Sequence, residues 1–184
     1  TSGIAVITLV KERLPVTLQL AAYTLLVAFV ISIPLGIISA VRQDTWVDYS
    51  IRTVTIFGLA MPNFWVASLF ILFLVAWFNW SPPIFYTHLW ESPGNHLAML
   101  VWPVLALSWS FSCILTRMTR SAMLEVLRQD YMRTAQAKGL TERVRLFRHG
   151  LRNAMLPVLT LMGLQLSGVL AGSVVMETIF GLPG

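Results

Sequence analysis

Four stretches of this chain contain no Asp, Glu, Lys, Arg or His: Val16 to Val41, Thr53 to Phe78, Leu97 to Thr116 and Ala154 to Met176. Each is long enough to cross a bilayer as a helix, because a hydrocarbon core of about 30 Å needs roughly 20 helical residues. A backbone in lipid must satisfy its own hydrogen bonds, so helices are the form such stretches take. Core helices of a water-soluble protein would need a polar face turned to water, and four charge-free stretches in 184 residues leave none. A composition of 57% hydrophobic and only 11% charged residues, with a mean hydropathy of +0.74, agrees. The fold class read from this pattern is all-α: a polytopic membrane protein with four transmembrane helices.

Basic residues then set the orientation. Residues 117 to 152 hold nine of the thirteen Lys and Arg residues, and cytoplasmic loops are the ones enriched in these two types. Placing 42–52 and 117–153 inside puts eleven Lys and Arg there and leaves only Lys11 and Arg13 outside. Both termini of the chain then face out. An N-terminus outside follows a signal or an earlier span, and the sequence starts at Thr1 with neither a Met nor a charged n-region before an apolar core. It stops at the turn-forming Gly181-Leu-Pro-Gly184. The expectation is a fragment, with at least one span missing on either side. The positive-inside bias also accounts for the net charge of +5, so no nucleic acid is expected as a partner.

Ion-coupled carriers place ionisable side chains inside the membrane, and the four spans hold none. This argues against a secondary transporter with its coupling site in these helices, and against a voltage sensor. The driving energy is expected to enter from outside the lipid. Pro34-Leu-Gly36 and Met61-Pro62-Asn63 each remove a backbone donor, so each should kink or open its helix. Kinked spans can line a pathway, and Pro and Gly are equally common in membrane helices without that role. In the last span Gly163, Ser167 and Ala171 form one stripe, with Gly168 and Gly172 beside it. Small residues four apart predict a closely packed partner helix, in this chain or in a second subunit.

Other candidates carry less. The segment 79–96 is rich in aromatics and Pro, which reads as interfacial anchoring. His88, Glu91 and His96 match no metal-ligand spacing, so no metal is expected. An intramembrane hydrolase using Ser108, Ser110 or Ser112 would lack a base, since no His lies in the spans, and no catalytic residue is expected. Cys113 is the one cysteine and reads as a small packing residue.

The basic segment has its own pattern. Met123 to Ala137 reads as a helix with Leu124, Leu127, Tyr131 and Ala135 on one stripe. Gly139 ends it. Thr141 is placed to cap a second helix, with Glu142 in its first turn and Val144, Phe147 and Leu151 as its apolar stripe. Two short amphipathic helices joined at a Gly turn fit two situations. They lie on anionic headgroups, or a partner protein receives the turn.

Asp130-Tyr-Met-Arg-Thr-Ala-Gln-Ala-Lys-Gly139 followed by His149-Gly-Leu-Arg-Asn-Ala-Met-Leu-Pro157 closely resembles the cytoplasmic EAA loop of ABC importer permeases, in particular the dipeptide, oligopeptide and nickel group. Met176 to Gly184, Arg13-Leu-Pro-Val-Thr-Leu18 and Met61-Pro-Asn-Phe-Trp65 resemble the same group, so the likeness covers nearly the whole chain. Thr134 stands where many permeases have Glu, and Leu151-Arg152 where many have Leu-Pro; the peptide group resembles this chain at both places.

The resemblance implies that 1–184 is a type-1 ABC transmembrane domain with its coupling-helix loop at 117–153, in the cytoplasmic membrane of a prokaryote. On that analogy Ala135, Ala137, Lys138, Gly139, Thr141 and Glu142 contact a cytoplasmic ATPase subunit, the small residues letting the backbones approach. The implied partners are the ATPase subunits, a second permease subunit, an extracytoplasmic substrate-binding protein and membrane lipid. No cofactor is expected on this chain: it has no GxxxxGK[ST] to cradle ATP, so ATP and Mg belong to the ATPase. Dipeptides or oligopeptides lead as substrates, with glutathione and nickel open. The alternative is a secondary transporter or channel subunit.

Overall fold

All four charge-free stretches are helical, apart from one break, in the computed structural model, which describes residues 6–80 and 91–183. In order the helices are α1 Val6–Val41, α2 Trp46–Ala60, α3 Asn63–Phe78, α4 Pro93–Leu127, α5 Asp130–Ala137, the single turn α6 Glu142–Val144, a π-helical segment Arg145–Leu151 and α7 Arg152–Phe180. Among the described residues there is no strand. Three of these helices are long and apolar enough to cross a membrane, or four crossings if α2 and α3 count together as one bent pair. Large side chains such as Leu26, Val30, Leu72, Trp77 and Leu164 are exposed. Lipid solvates an apolar face as well as a protein core does, so such faces need no cover within the chain.

The stretch 53–78 is the exception to one helix per span. The chain leaves helical geometry at Pro62, whose ψ is 141°. Pro has no N–H to give the preceding turn, and its ring pushes the residue before it out of the α region. The helix restarts at Asn63, with the amides of Trp65 and Val66 donating to the Pro62 carbonyl. At Pro34, where a kink or opening is expected, the helix assignment of α1 continues without a break.

Two compact units make up the packing: Thr1–Val27 with Met61–Ser110 and Leu166–Gly184, and Ala28–Ala60 with Phe111–Gln165. In the first, Leu20, Leu74, Leu100, Leu107, Met176 and Phe180 are buried. Trp80 meets Trp102 and Phe180 edge to face, with ring centroids 6.3 and 6.5 Å away. Gly172 packs here too: a Cβ on it would fall 2.8 Å from Leu107 Cδ1. Gly163 has open space where a Cβ would go, and Ser167, Gly168 and Ala171 are exposed.

In the second unit four buried positions of α1 fall four apart, at Ala28, Ser32, Gly36 and Ala40, with Ser39 buried beside the last. This is the small-residue stripe that brings two helices together inside the chain. A Cβ on Gly36 would lie 2.5 Å from the Thr119 Cβ and 3.0 Å from the Thr116 carbonyl oxygen on α4. Only a residue without a side chain fits there. Cys113 is buried, in keeping with a packing role.

Candidate functional site at the Gly139 turn

The basic segment is built differently from two short helices. α4 continues past Thr116 to Leu127, and the chain turns at Arg128-Gln129 before α5. The single helix expected over 123–137 is therefore broken, and its stripe is not one face. Met132 and Ala135 are the buried residues of α5, while Tyr131 is exposed. The Tyr131 hydroxyl accepts a hydrogen bond of 2.9 Å from Asn153 Nδ2.

Gly139 ends α5 as expected. Its φ is +76°, the left-handed region that favours glycine. The Leu140 amide donates to the Ala135 carbonyl at 3.3 Å and the Gly139 amide to Gln136 at 3.0 Å. These two crossed bonds form a Schellman cap, which satisfies helix-end carbonyls and sets the exit direction of the chain. Thr141 then occupies the N-cap position with extended backbone, but its side chain makes no capping bond.

Beyond it the expected α-helix is only one turn long and passes into the π-helical segment. Wider i→i+5 turns carry a different set of residues to each face than 3.6 residues per turn would. The result is that Val144 and Phe147 are exposed and Gly150 is buried. A Cβ on Gly150 would lie 3.6 Å from Met123 Cε and 3.7 Å from Met132 Cε, so this segment packs on both α4 and α5. It runs without a break into α7.

Of the residues expected to contact a partner, Ala137, Lys138, Gly139, Thr141 and Glu142 are exposed at the turn. Ala135 is not with them: it is 8% exposed and faces inward. Alanine spacing alone does not reveal which of two residues a short helix turns inward. Beside the turn opens a cleft of about 210 Å³, with Val41, Met132, Arg133, Gln136, Glu142 and Arg145 among its walls. The turn is thus a polar knob on an apolar, packed base.

A second constellation in the same unit escaped the sequence reading. Asp48, in the first turn of α2, is fully buried and accepts hydrogen bonds from Arg120 Nε and Nη2, each 2.7 Å. Ser39 Oγ of α1 donates to it at 2.5 Å and the Asp44 amide at 3.1 Å. Asp48 lies in the charged stretch before the second apolar window. Buried Asp48, His96 and Glu177 all fall outside the four charge-free stretches. No group of three potential metal ligands occurs among the described residues, and His88 lies outside them.

Residues 32–184 match the family of binding-protein-dependent transport system inner membrane components. The chain belongs to this family. Relatives of this inner membrane component include the oligopeptide transport system permease protein AppB of Bacillus subtilis, 42% identical over 99% of this chain and 58% of its own length. The oligopeptide transport system permease protein OppB of Salmonella typhimurium is 39% identical over 96% of the chain and 56% of its own length. OppB of Escherichia coli K12 is 37% identical over the same shares. The chain therefore spans somewhat more than half the length of these relatives. Within this family the all-α fold, the apolar helices and the basic segment have a common explanation, an inner-membrane transport component that crosses the bilayer several times.

Proposed function

We propose that this chain is part of the membrane-embedded permease subunit of a peptide importer, shifted between inward-open and outward-open states by a separate ATPase that docks on the Gly139 turn. What carries the reading is the turn itself: a capped, exposed segment of small and polar residues, held on a packed base, in a chain whose relatives are named oligopeptide permeases. A headgroup-bound amphipathic helix would turn a continuous apolar face to the membrane. Here Met132, Ala135 and Gly150 face the chain's own helices, and Val144 and Phe147 are the exposed members of the apolar stripe.

In this reading the partners are the ATPase subunits, which hold ATP and Mg, a second permease subunit, an extracytoplasmic substrate-binding protein and lipid. Di- and oligopeptides are the substrate class the relatives' names support, and selection among them belongs to the binding protein. A secondary carrier with its coupling site in the four charge-free stretches would need a titratable group there, and they contain none.

Crosslinking tests this. Cysteines at Ala137 and Thr141 in the full-length permease should link to the ATPase subunit in membranes. If the only products are lipid adducts, the turn lies on the headgroups and the importer mechanism is wrong.

A further inference from the structure

The Asp48–Arg120 pair has no place in the docking surface, yet it collects more of the basic unit than any contact at the turn. One carboxylate receives bonds from α1 through Ser39, from the α1–α2 turn through the Asp44 amide, and from α4 through both prongs of Arg120. Arg120 sits two turns of helix before Leu127, where α4 gives way to α5 and the Gly139 turn. Met123, on the following turn of α4, touches the α5 and π-helical packing at Gly150. A two-pronged guanidinium contact fixes orientation as well as distance, which a single ammonium would not.

We propose that Asp48 and Arg120 are positioning residues that lock the α1–α2 turn to α4, so that a push on the Gly139 turn moves both together. The inference rests on the docking role proposed above. Coupling travels through packed elements that keep their mutual geometry, and a buried charge pair holds one geometry because each partner is costly to leave alone. Exposed surface pairs would not serve: Arg133 and Asp130, 3.7 Å apart and largely exposed, are free to separate.

The test uses the full-length permease assembled with its ATPase subunits in nanodiscs, in a Cys113→Ser background, with spin labels at Thr45→Cys and Gln136→Cys. Both labelled positions are exposed. In the parent the interlabel distance should be narrow and unchanged when ATP and vanadate trap the complex. Arg120→Gln and Asp48→Asn should each broaden or shift it on trapping, and the double variant should do no more than either alone. Arg120→Lys, which keeps the charge and loses the fork, should give an intermediate distribution and covers the case in which Arg120→Gln fails to insert. A distance in the variants as narrow and as constant as in the parent overturns the proposal. So do two single effects that simply add. A parent complex that hydrolyses no ATP would instead sink the importer reading, and this inference with it.

Discussion

Arg120 and Asp48, 72 positions apart in the chain, meet through two hydrogen bonds of 2.7 Å around a carboxylate with no exposed surface. Removing Arg120 leaves a buried carboxylate without its countercharge, held only by Ser39 and the Asp44 amide. Arg120→Ala should destabilise the protein by about 3 to 5 kcal/mol, read as a lowered Tm in nanodiscs. Replacing both with apolar residues of similar volume, Asp48→Leu with Arg120→Met, should recover most of that loss. If the double variant is as unstable as the single one, the pair's contribution is not that of a buried charge needing its partner.

Glycine positions should rank by what a methyl group would strike. Gly36→Ala drives a Cβ into Thr119 and a backbone carbonyl, neither able to move without shifting a helix, and should cost about 1 to 3 kcal/mol. Gly172→Ala crowds the flexible end of Leu107 and makes ordinary contact with Asn63, so it should cost less. Gly163→Ala meets nothing and should fall within about 0.5 kcal/mol of the parent. Thermal unfolding of the three variants side by side gives the order directly.

At Gly139 the constraint is the backbone, since nothing lies near a Cβ there. Gly139→Val should cost at least about 1 to 2 kcal/mol, whereas Asn, which visits the left-handed region more readily, should cost less. Equal stability of the Val and Asn variants would contradict the +76° geometry.

Ala135 and Ala137 should separate stability from docking. Ala135→Leu overfills a buried site and should lower Tm, with a penalty of about 1 to 3 kcal/mol. Ala137→Leu, at an exposed site, should leave Tm within experimental error and reduce ATPase binding. A reversal of these two outcomes would mean that α5 presents its other face to the partner.

Much of the architecture was readable in the linear pattern because its causes are local. Charge-free runs become helices since lipid offers the backbone no other partner. Pro62 breaks its helix and Gly139 caps its own for reasons contained in those residues and their immediate neighbours. Thr141 was placed correctly as an N-cap position for the same reason, though its hydroxyl makes no capping bond.

What the chain order could not reveal depends on which helix faces which. Small residues recur four apart on both α1 and α7, yet only the contact with Thr119 turns the α1 set, with Gly36 at its centre, inward. The break at Arg128-Gln129 and the wide turns of 145–151 accompany the meeting of Met123, Met132 and Gly150 across three elements. Asp48 looked like one more charge in a basic loop until folding brought Arg120 and Ser39 to it. Hydropathy and backbone geometry act within a few residues and so determined the helices. Side-chain pairing acts across helices, and only the folded arrangement decided it.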